Sequence, residues 1–492
     1  MACKTCFTTK GAKIYTKNTK ISFKKNPLPS VARKRGFCYT NGMNITTPET
    51  PSARAAAAVC DALRAAGFQA FFVGGCVRDL LLGRPVNDLD IATSATPDEI
   101  ERLFFGHTIP VGKSFGVMLV KRGEHVFEVA TFRSDGAYAD GRRPDCVTFS
   151  TAEADAQRRD FTVNALFLDP RTGEIFDYVG GLRDLAGKTL RTIGNPADRF
   201  NEDHLRLLRA ARFAAVLGFS IHPETRDAVA SLAPLLDTVA PERVAAEFIK
   251  GLRDAPRPSE FLNLLDSLNL LGRFLPDALA MKGCEQPPQF HPEGDVWTHT
   301  CLMLDSLAPP PRDPALALAT FFHDIGKPPC AKWVVMPDGS GRIRFQGHSA
   351  VGAGITKRVL GVNLRQPAAL VEEVSTIVRD HMTFHELCKM RPANRRRFLG
   401  KPTFEKALEV NRLDLLHSAG DLKDYEYARG QFEAFASEPI LPEPWVRGRD
   451  LIAAGLEPGP QFGGVLKRAY DAQLENQYFD KSALLDATLK NP

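Results

Sequence analysis

The stretch Gly74-Gly75-Cys76-Val77-Arg78-Asp79, followed by Asp88-Leu89-Asp90, decides how this 492-residue chain is read. Just ahead of it, Ala70 to Val73 are apolar and predict a strand that ends at the two glycines. Glycine there lets backbone amides come close to phosphate oxygens, and Arg78 adds charge to that contact. Strand side chains alternate between faces, so Asp88 and Asp90 are expected on one face with Leu89 in the core. Two hard oxygen donors side by side suit Mg2+, which beside a triphosphate stabilises both oxygens of an in-line displacement. Farther on, His125 to Phe132 (HVFEVATF) predicts a second strand in which Glu128 alternates with apolar neighbours. On a strand next to the pair, Glu128 is a third candidate carboxylate, as ligand or directly behind one.

Two segments imitate a phosphate-binding P-loop. Gly106 to Ser114 and Gly181 to Thr189 each end in Gly-Lys-Ser or Gly-Lys-Thr, but with five intervening residues where that loop has four. The extra residue displaces the lysine, so a nucleotide is expected at the Gly-Gly turn and its arginines instead.

The run GGCVRDLLLG with DLD, then RRDFTVNAL at Arg158 to Leu166, then NEDHLRLLRAARFA at Asn201 to Ala214, resembles the class II tRNA nucleotidyltransferases. These CCA-adding enzymes share a head with bacterial poly(A) polymerases, and the likeness covers roughly residues 65 to 270. It implies an α+β fold: a polymerase β-like head with a small mixed sheet and helices, followed by all-α neck and body and a helical tail.

Pro196, Glu202 and Asp203 precede an apolar-periodic run, which predicts a helix with acids in its first turn and Asp203 and Arg206 on one face. A carboxylate accepts from the exocyclic amine of cytosine or adenine while a guanidinium donates to the ring nitrogen beside it; uracil and guanine present a carbonyl instead. The resemblance gives Asp203 and Arg206 that role. It places Gly74, Gly75, Arg78, Arg159 and Arg209 on the nucleotide. Of two adjacent residues on an extended segment one faces the pocket, and Arg159 is preferred to Arg158. Asp160 either contacts a sugar hydroxyl or orients Arg159.

Seven of the eleven histidines fall after residue 290. His323-Asp324 follows the apolar run Ala315 to Phe322 and precedes Ile325-Gly326-Lys327, with His299 one helix earlier. This resembles the HD phosphohydrolase superfamily, whose domain is an all-α bundle. The resemblance implies a divalent metal on His299, His323, Asp324 and Asp414, with His348 and His381 at a second position. Imidazole with carboxylate suits Ni2+, Mn2+, Co2+, Fe2+ or Mg2+. His291 and His385 are weaker candidates. An appended HD domain accompanies 2',3'-cyclic phosphodiesterase, 2'-nucleotidase and phosphatase activities in one bacterial lineage of these enzymes.

Composition agrees: 44% hydrophobic and 25% charged residues are ordinary for globular domains. No apolar run reaches membrane-spanning length, and scattered cysteines fit a reducing cytoplasm. The net charge of +5 misleads, because residues 1–48 hold ten lysines and arginines and no acid, leaving 53 basic against 58 acidic side chains. RNA affinity is therefore expected from local patches, the candidates being Arg142-Arg143, Arg206 to Arg212, Lys357-Arg358 and Arg395-Arg396-Arg397.

The punctuation predicts five parts: 1–48, disordered as either an organelle-targeting segment or a start mis-assigned upstream of Met43; head 49–190; neck and body 191–285; HD domain 286–427; helical tail 428–492. The reading implied is a cytoplasmic enzyme that adds C, C and A to tRNA from CTP and ATP, with no DNA or membrane partner. A poly(A) polymerase and a CC-only or A-only enzyme share its motifs, and an HD phosphohydrolase with an RNA-binding head is the alternative of another class.

Overall fold

The computed structural model describes residues 45–490 except 87, 137, 139, 140, 143, 336, 338, 340 and 419. Of the segment 1–48 expected to be disordered, residues 1–44 lie outside the described residues, as does Arg143 of one expected basic patch; at Ile45 the expectation is corrected, since its amide donates to the Gly173 carbonyl at 3.0 Å and its side chain packs against the core. The fold is α+β. After the helix Pro51–Ala65, and with short helices between them, come nine strands: β1 Ala70–Val73, β2 Ile91–Thr93, β3 Thr108–Gly112, β4 Val117–Arg122, β5 His125–Thr131, β6 Arg133–Asp135, β7 Val147–Phe149, β8 Leu166–Leu168 and β9 Ile175–Asp177. Seven of them form a mixed sheet in the order β3-β4-β5-β2-β1-β8-β9, while β6 and β7 pair with each other. Within it β2 and β5 run parallel, and the other neighbours antiparallel.

β1 is covered on both faces, which explains why AFFV carries no polar residue. Ala70 and Phe72 enter the main core, whereas Val73 and Phe71 pack with Phe132, Phe167 and Ile193 on the other side. Burying a phenylalanine such as Phe72 contributes about 1.5–3 kcal/mol before ordering costs. β2 starts at Ile91, so Asp88 and Asp90 precede the strand instead of lying within it. The alternation still holds, because the ladder already engages Asp90, whose carbonyl accepts from the Val73 amide at 3.0 Å. Leu89 is 7% exposed and in the core, between two exposed aspartates.

The helix expected through Asp203 is two helices, Pro196–Glu202 and Leu205–Leu217. Asp203 breaks them with extended backbone (φ −141°, ψ 106°) because its carboxylate caps the Leu205 amide at 3.1 Å. Asp203 and Arg206 therefore do not share a helical face. Leu205–Leu217 packs on Pro241–Asp254 and Pro258–Ser267.

The histidine-bearing part is built on Val296–Asp305, Pro314–Phe322, His348–Lys357, Ala368–Asp380 and Phe404–His417. It is not all-α: an antiparallel hairpin, Lys332–Val335 with Gly341–Arg344, stands between His323 and His348. Gly326 lets the turn after Asp324 pass against Gly352, since a Cβ on it would collide with the His348 carbonyl. That close passage brings Asp324 to His348. The last helices, Gly448–Ala453, Gln461–Leu474 and Lys481–Lys490, have their own small core around Leu451, Val465 and Leu484. No helix among the described residues is long and apolar enough to cross a membrane.

Candidate functional site

A cleft of about 590 Å3 opens at the C-terminal end of β1. Asp88 and Asp90 line it opposite Arg78, Arg158, Arg159, Arg206 and Arg209, with Gly74 and Gly75 beside them. Glu128 borders an adjoining hollow together with Asp90 and Arg159. The register explains this: Ile91 faces Val129, so the residues just before them, Asp90 and Glu128, come side by side. Asp90 is accessible to solvent yet sits low among carboxylates, and burial, then Glu128 and Asp88, raise its carboxyl to about 6 against the pull of Arg159. A crowd of acids with one carboxyl pushed up fits a divalent cation, which would relieve the repulsion.

Gly74 has φ +80°, and a Cβ there would stand 3.3 Å from Arg159 Nη1, so only glycine suits the backbone and leaves the arginine its place. Arg78 is 7% exposed; it donates to Asp79 from Nε at 3.0 Å and to Asn164 Oδ1 from Nη1. The preference for Arg159 over Arg158 is corrected, because both line the cleft. They follow the short helix Ala152–Gln157, not an extended segment, and both grip Asp155. Arg158 Nη2 donates to Asp155 Oδ1 at 2.6 Å and Arg159 Nη2 to Oδ2 at 2.9 Å. Burial opposes the charge on Asp155, which is 1% exposed, but the two guanidiniums prevail and hold its carboxyl low. Sequence reasoning missed Asp155, although its spacing of three and four from the arginines was a signal.

Asp160 holds Arg209, not Arg159: Arg209 donates to Asp160 Oδ2 from Nε at 3.0 Å and Nη2 at 2.7 Å. Burial pushes Asp160 up, but Arg209 and Arg206 outweigh it and set its carboxyl at about 2. Arg212, the far end of the expected basic patch Arg206 to Arg212, lines the cleft, pairs with buried Glu247 and lies 4.0 Å from the Phe213 ring centre. Arg206 donates to Glu202 and, from Nη2, to the Arg158 carbonyl at 3.2 Å. Asp203 accepts from Arg243, another missed residue. The P-loop look-alike lysine Lys113 is paired with Asp98 and Glu101 away from the cleft. Of the basic patches, Arg395 to Arg397 are committed to Tyr427, the Ile440 carbonyl and Asp471, and Arg396 is 8% exposed. Lys357 pairs with Glu372 and Arg358 with Asp277.

The second constellation is buried. His299, His323 and Asp324 bring donor atoms within 4.8 Å of one another, and so do Asp324, His348 and His381. Asp414 Oδ1 lies 3.1 Å from His299 Nε2. His323, His348 and His381 each place Nδ1 on the backbone carbonyl three residues earlier, at 2.8, 2.9 and 2.7 Å. This orients every Nε2 toward Asp324, at 3.1, 3.3 and 3.8 Å. His299 Nε2, His323 Nε2 and both Asp324 oxygens are buried, and beyond the contacts they make with one another, Asp414, His348, His381 and Lys327 they have no partner among the described residues. Convergent orphaned donors of this kind fit a metal ion. Burial pushes His381 down to about 3, whereas on His299 the bonds to Asp414 and Glu293 overcome burial and raise it to about 9.

Glu293 was missed; it engages His299 Nδ1 at 2.6 Å and His291 Nδ1 at 2.8 Å. Lys327, three residues after Asp324, reaches its Oδ2 at 2.6 Å. His291 meets the cluster through Glu293 and edge-on against the His299 ring, centres 5.0 Å apart, so that His291, Glu293 and His299 also bring donor atoms within 4.8 Å of one another, whereas His385 pairs with Asp424 at 2.6 Å.

Three family models match: the Poly A polymerase head domain over residues 70–191, a probable RNA and SrmB- binding site of polymerase A over 218–281, and the HD domain over 295–419. A CCA-adding enzyme of Enterococcus faecalis is 49% identical over 198 residues, 40% of this chain and 48% of that protein. Another from Anoxybacillus flavithermus is 46% identical over 231 residues, 46% of this chain and 57% of that protein. The chain spans about half the length of the curated relatives it matches. The crystal structure of the Bacillus stearothermophilus CCA-adding enzyme in complex with CTP superimposes with a TM-score of 0.65 at 26% identity, covering 90% of this chain and 98% of that one. A Thermotoga maritima CCA-adding enzyme complexed with tRNA shares the fold at 19% identity, with a TM-score of 0.51 and coverage of 88% and 94%. The three matches follow one another along the chain in the order head, polymerase A binding segment and HD domain.

Proposed function

We propose that this chain adds C, C and A to the 3' end of tRNA from CTP and ATP without a nucleic-acid template, releasing pyrophosphate. The observation that carries the reading is the cleft itself, where Asp88 and Asp90 face Arg78, Arg158, Arg159, Arg206 and Arg209 across about 590 Å3. The curated relatives matched are CCA-adding enzymes, and the structure of one such enzyme in complex with CTP superimposes on this chain. Asp88 and Asp90, with Glu128 beside them, would hold Mg2+, which when bound neutralises triphosphate charge and acidifies the attacking 3'-hydroxyl. The Gly74 and Gly75 backbone, Arg78 and Arg159 take the phosphates. Fixed guanidiniums suit the developing charge because they need no reorganisation as it appears.

Asp203 and Arg206 select the base. A carboxylate offers about four acceptor positions. The Leu205 amide and Arg243 fill three of them, leaving one on Oδ2 for an exocyclic amine. Arg206 reaches the base after exchanging its Glu202 contact. We retain the five-part division at 48, 190, 285 and 427 and a cytoplasmic location for this reading.

The test is the length ladder of a tRNA lacking its last three nucleotides, incubated with CTP alone, ATP alone and both. Two additions with CTP and a third only with ATP are expected. Long A tracts without CTP would make it a poly(A) polymerase, and a halt at CC or a requirement for a CC end would make it one of the specialists.

A second activity is favoured by the orphaned donors of the HD cluster: hydrolysis of a phosphate ester at an RNA end. His299, His323, Asp324 and Asp414, with His348 and His381, would hold one or two divalent ions, which supply an activated water when bound. Water adds across the bond from phosphorus to the 3'-oxygen of a 2',3'-cyclic phosphate, leaving a 2'-monoester and a free 3'-hydroxyl. An end freed in this way regains the hydroxyl that nucleotide addition needs.

A further inference from the structure

A second cavity, about 550 Å3, opens in front of the histidine cluster. His348, Asp414 and Lys327 are in its lining, and so are Arg342, Phe345 and Phe290. The second strand of the inserted hairpin, Gly341–Arg344, therefore supplies part of the wall, along with the proline-rich approach to the first HD helix. Arg342 is unusual for a hairpin residue. Its Nε is buried without a hydrogen-bond partner among the described residues, while its guanidinium lies 5.9 Å from the Phe290 ring centre. Such a donor left unmatched is costly, and an arginine fork pairs best with planar or tetrahedral oxyanions. Phe290 is 51% exposed, a large apolar ring open to the cavity. The volume suits one nucleotide-sized ligand.

We propose that this cavity seats a ribonucleoside phosphate, with Arg342 on the phosphate and Phe290 against the base, so that the hairpin makes the histidine site selective for nucleotide esters. The inference rests on the phosphohydrolase reading for its chemistry, but the seat stands or falls separately. The same ligand chemistry is offered by a free mononucleotide and by the terminal nucleotide of an RNA.

The test uses the full-length protein with Arg342→Ala, Arg342→Lys and Phe290→Ala, checked for unchanged thermal melting and metal content. Substrates are a nucleoside 2',3'-cyclic phosphate, a short RNA ending in one, and glycerol 2-phosphate as a base-free ester. Binding of a nucleoside 2'-monophosphate to the metal-free protein is measured in parallel by calorimetry. Arg342→Ala is expected to raise KM for all three and weaken binding, each by about tenfold or more, with kcat little changed and Lys restoring part of the loss. Phe290→Ala should raise KM for the two nucleotide substrates alone. A lower KM for the RNA than for the mononucleotide assigns the seat to RNA ends, and the reverse assigns it to free nucleotides. Unchanged KM and affinity in Arg342→Ala overturn the seat even if wild type hydrolyses every ester. Arg342-dependent binding without hydrolysis by any divalent metal keeps the seat and overturns the phosphohydrolase reading.

Discussion

Arg243 Nη2 donates to both carboxylate oxygens of Asp203, at 2.9 Å and 3.2 Å, from a helix forty residues farther along the chain. The proposed base-reading acid is thus held by a part of the body outside its own motif. Arg243→Ala removes that clamp without touching Asp203 or Arg206. The expected outcome is a fall of about tenfold in kcat/KM for CTP and ATP, consistent with loss of one charged hydrogen bond. UTP should be incorporated relatively more often. Single-nucleotide incorporation on tRNA, with Arg243→Lys as the conservative control, measures both; unchanged discrimination would separate Arg243 from base choice.

Asp155 is the buried anion under two cleft arginines. Asp155→Asn keeps its volume but leaves Arg158 and Arg159 without their shared counter-charge. Breaking a buried pair of this kind costs about 3–5 kcal/mol. With the arginines partly exposed, the lower end is expected, seen as a reduced denaturation midpoint. KM for the nucleotide should rise as well, because Arg159 loses its orientation.

What could be read from sequence followed local rules. Leu89 announced the alternation that sets Asp88 and Asp90 together, and His323-Asp324 after an apolar helix announced the buried cluster. Asp203 misled because acids before an apolar run look like a first helical turn, whereas its own carboxylate capped Leu205 and broke the helix. Arg158 is undervalued by any reading of its segment as extended, because it caps the end of the helix Ala152–Gln157. Glu247 and Arg243 lay beyond reach, since their partners Arg212 and Asp203 are 35 and 40 positions away and meet them only after the helices pack. Nothing in the histidine motif announces the hairpin, whose strands lie between His323 and His348 and pair only in the folded chain.

The two constellations occupy separate cavities with no lining residue in common. Asp88→Ala should therefore lower nucleotide addition by about a thousandfold or more, the scale of losing a principal electrostatic element, while ester hydrolysis is preserved. His323→Ala should do the opposite. Assaying both variants for both reactions checks this. Simultaneous loss in either variant, with melting unchanged, would mean the sites are coupled.

Asp90 makes metal binding in the head depend on pH. In the metal-free protein its carboxyl is raised to about 6 by burial and by Glu128 and Asp88. A cation binds the carboxylate, so above that value the ligand is already ionised and affinity is flat. Below it a proton must leave first, and affinity should fall up to tenfold for each further pH unit. Calorimetric titration of Mn2+ between pH 5 and 8 in a His323→Ala background isolates this site. Proton release measured in buffers of different ionisation enthalpy should appear only near and below pH 6. Glu128→Gln removes the largest charge acting against Asp90, so its midpoint should move toward lower pH even though one oxygen donor is weakened. A midpoint that stays in place in that variant would show that Glu128 does not share the acidic cluster with Asp90.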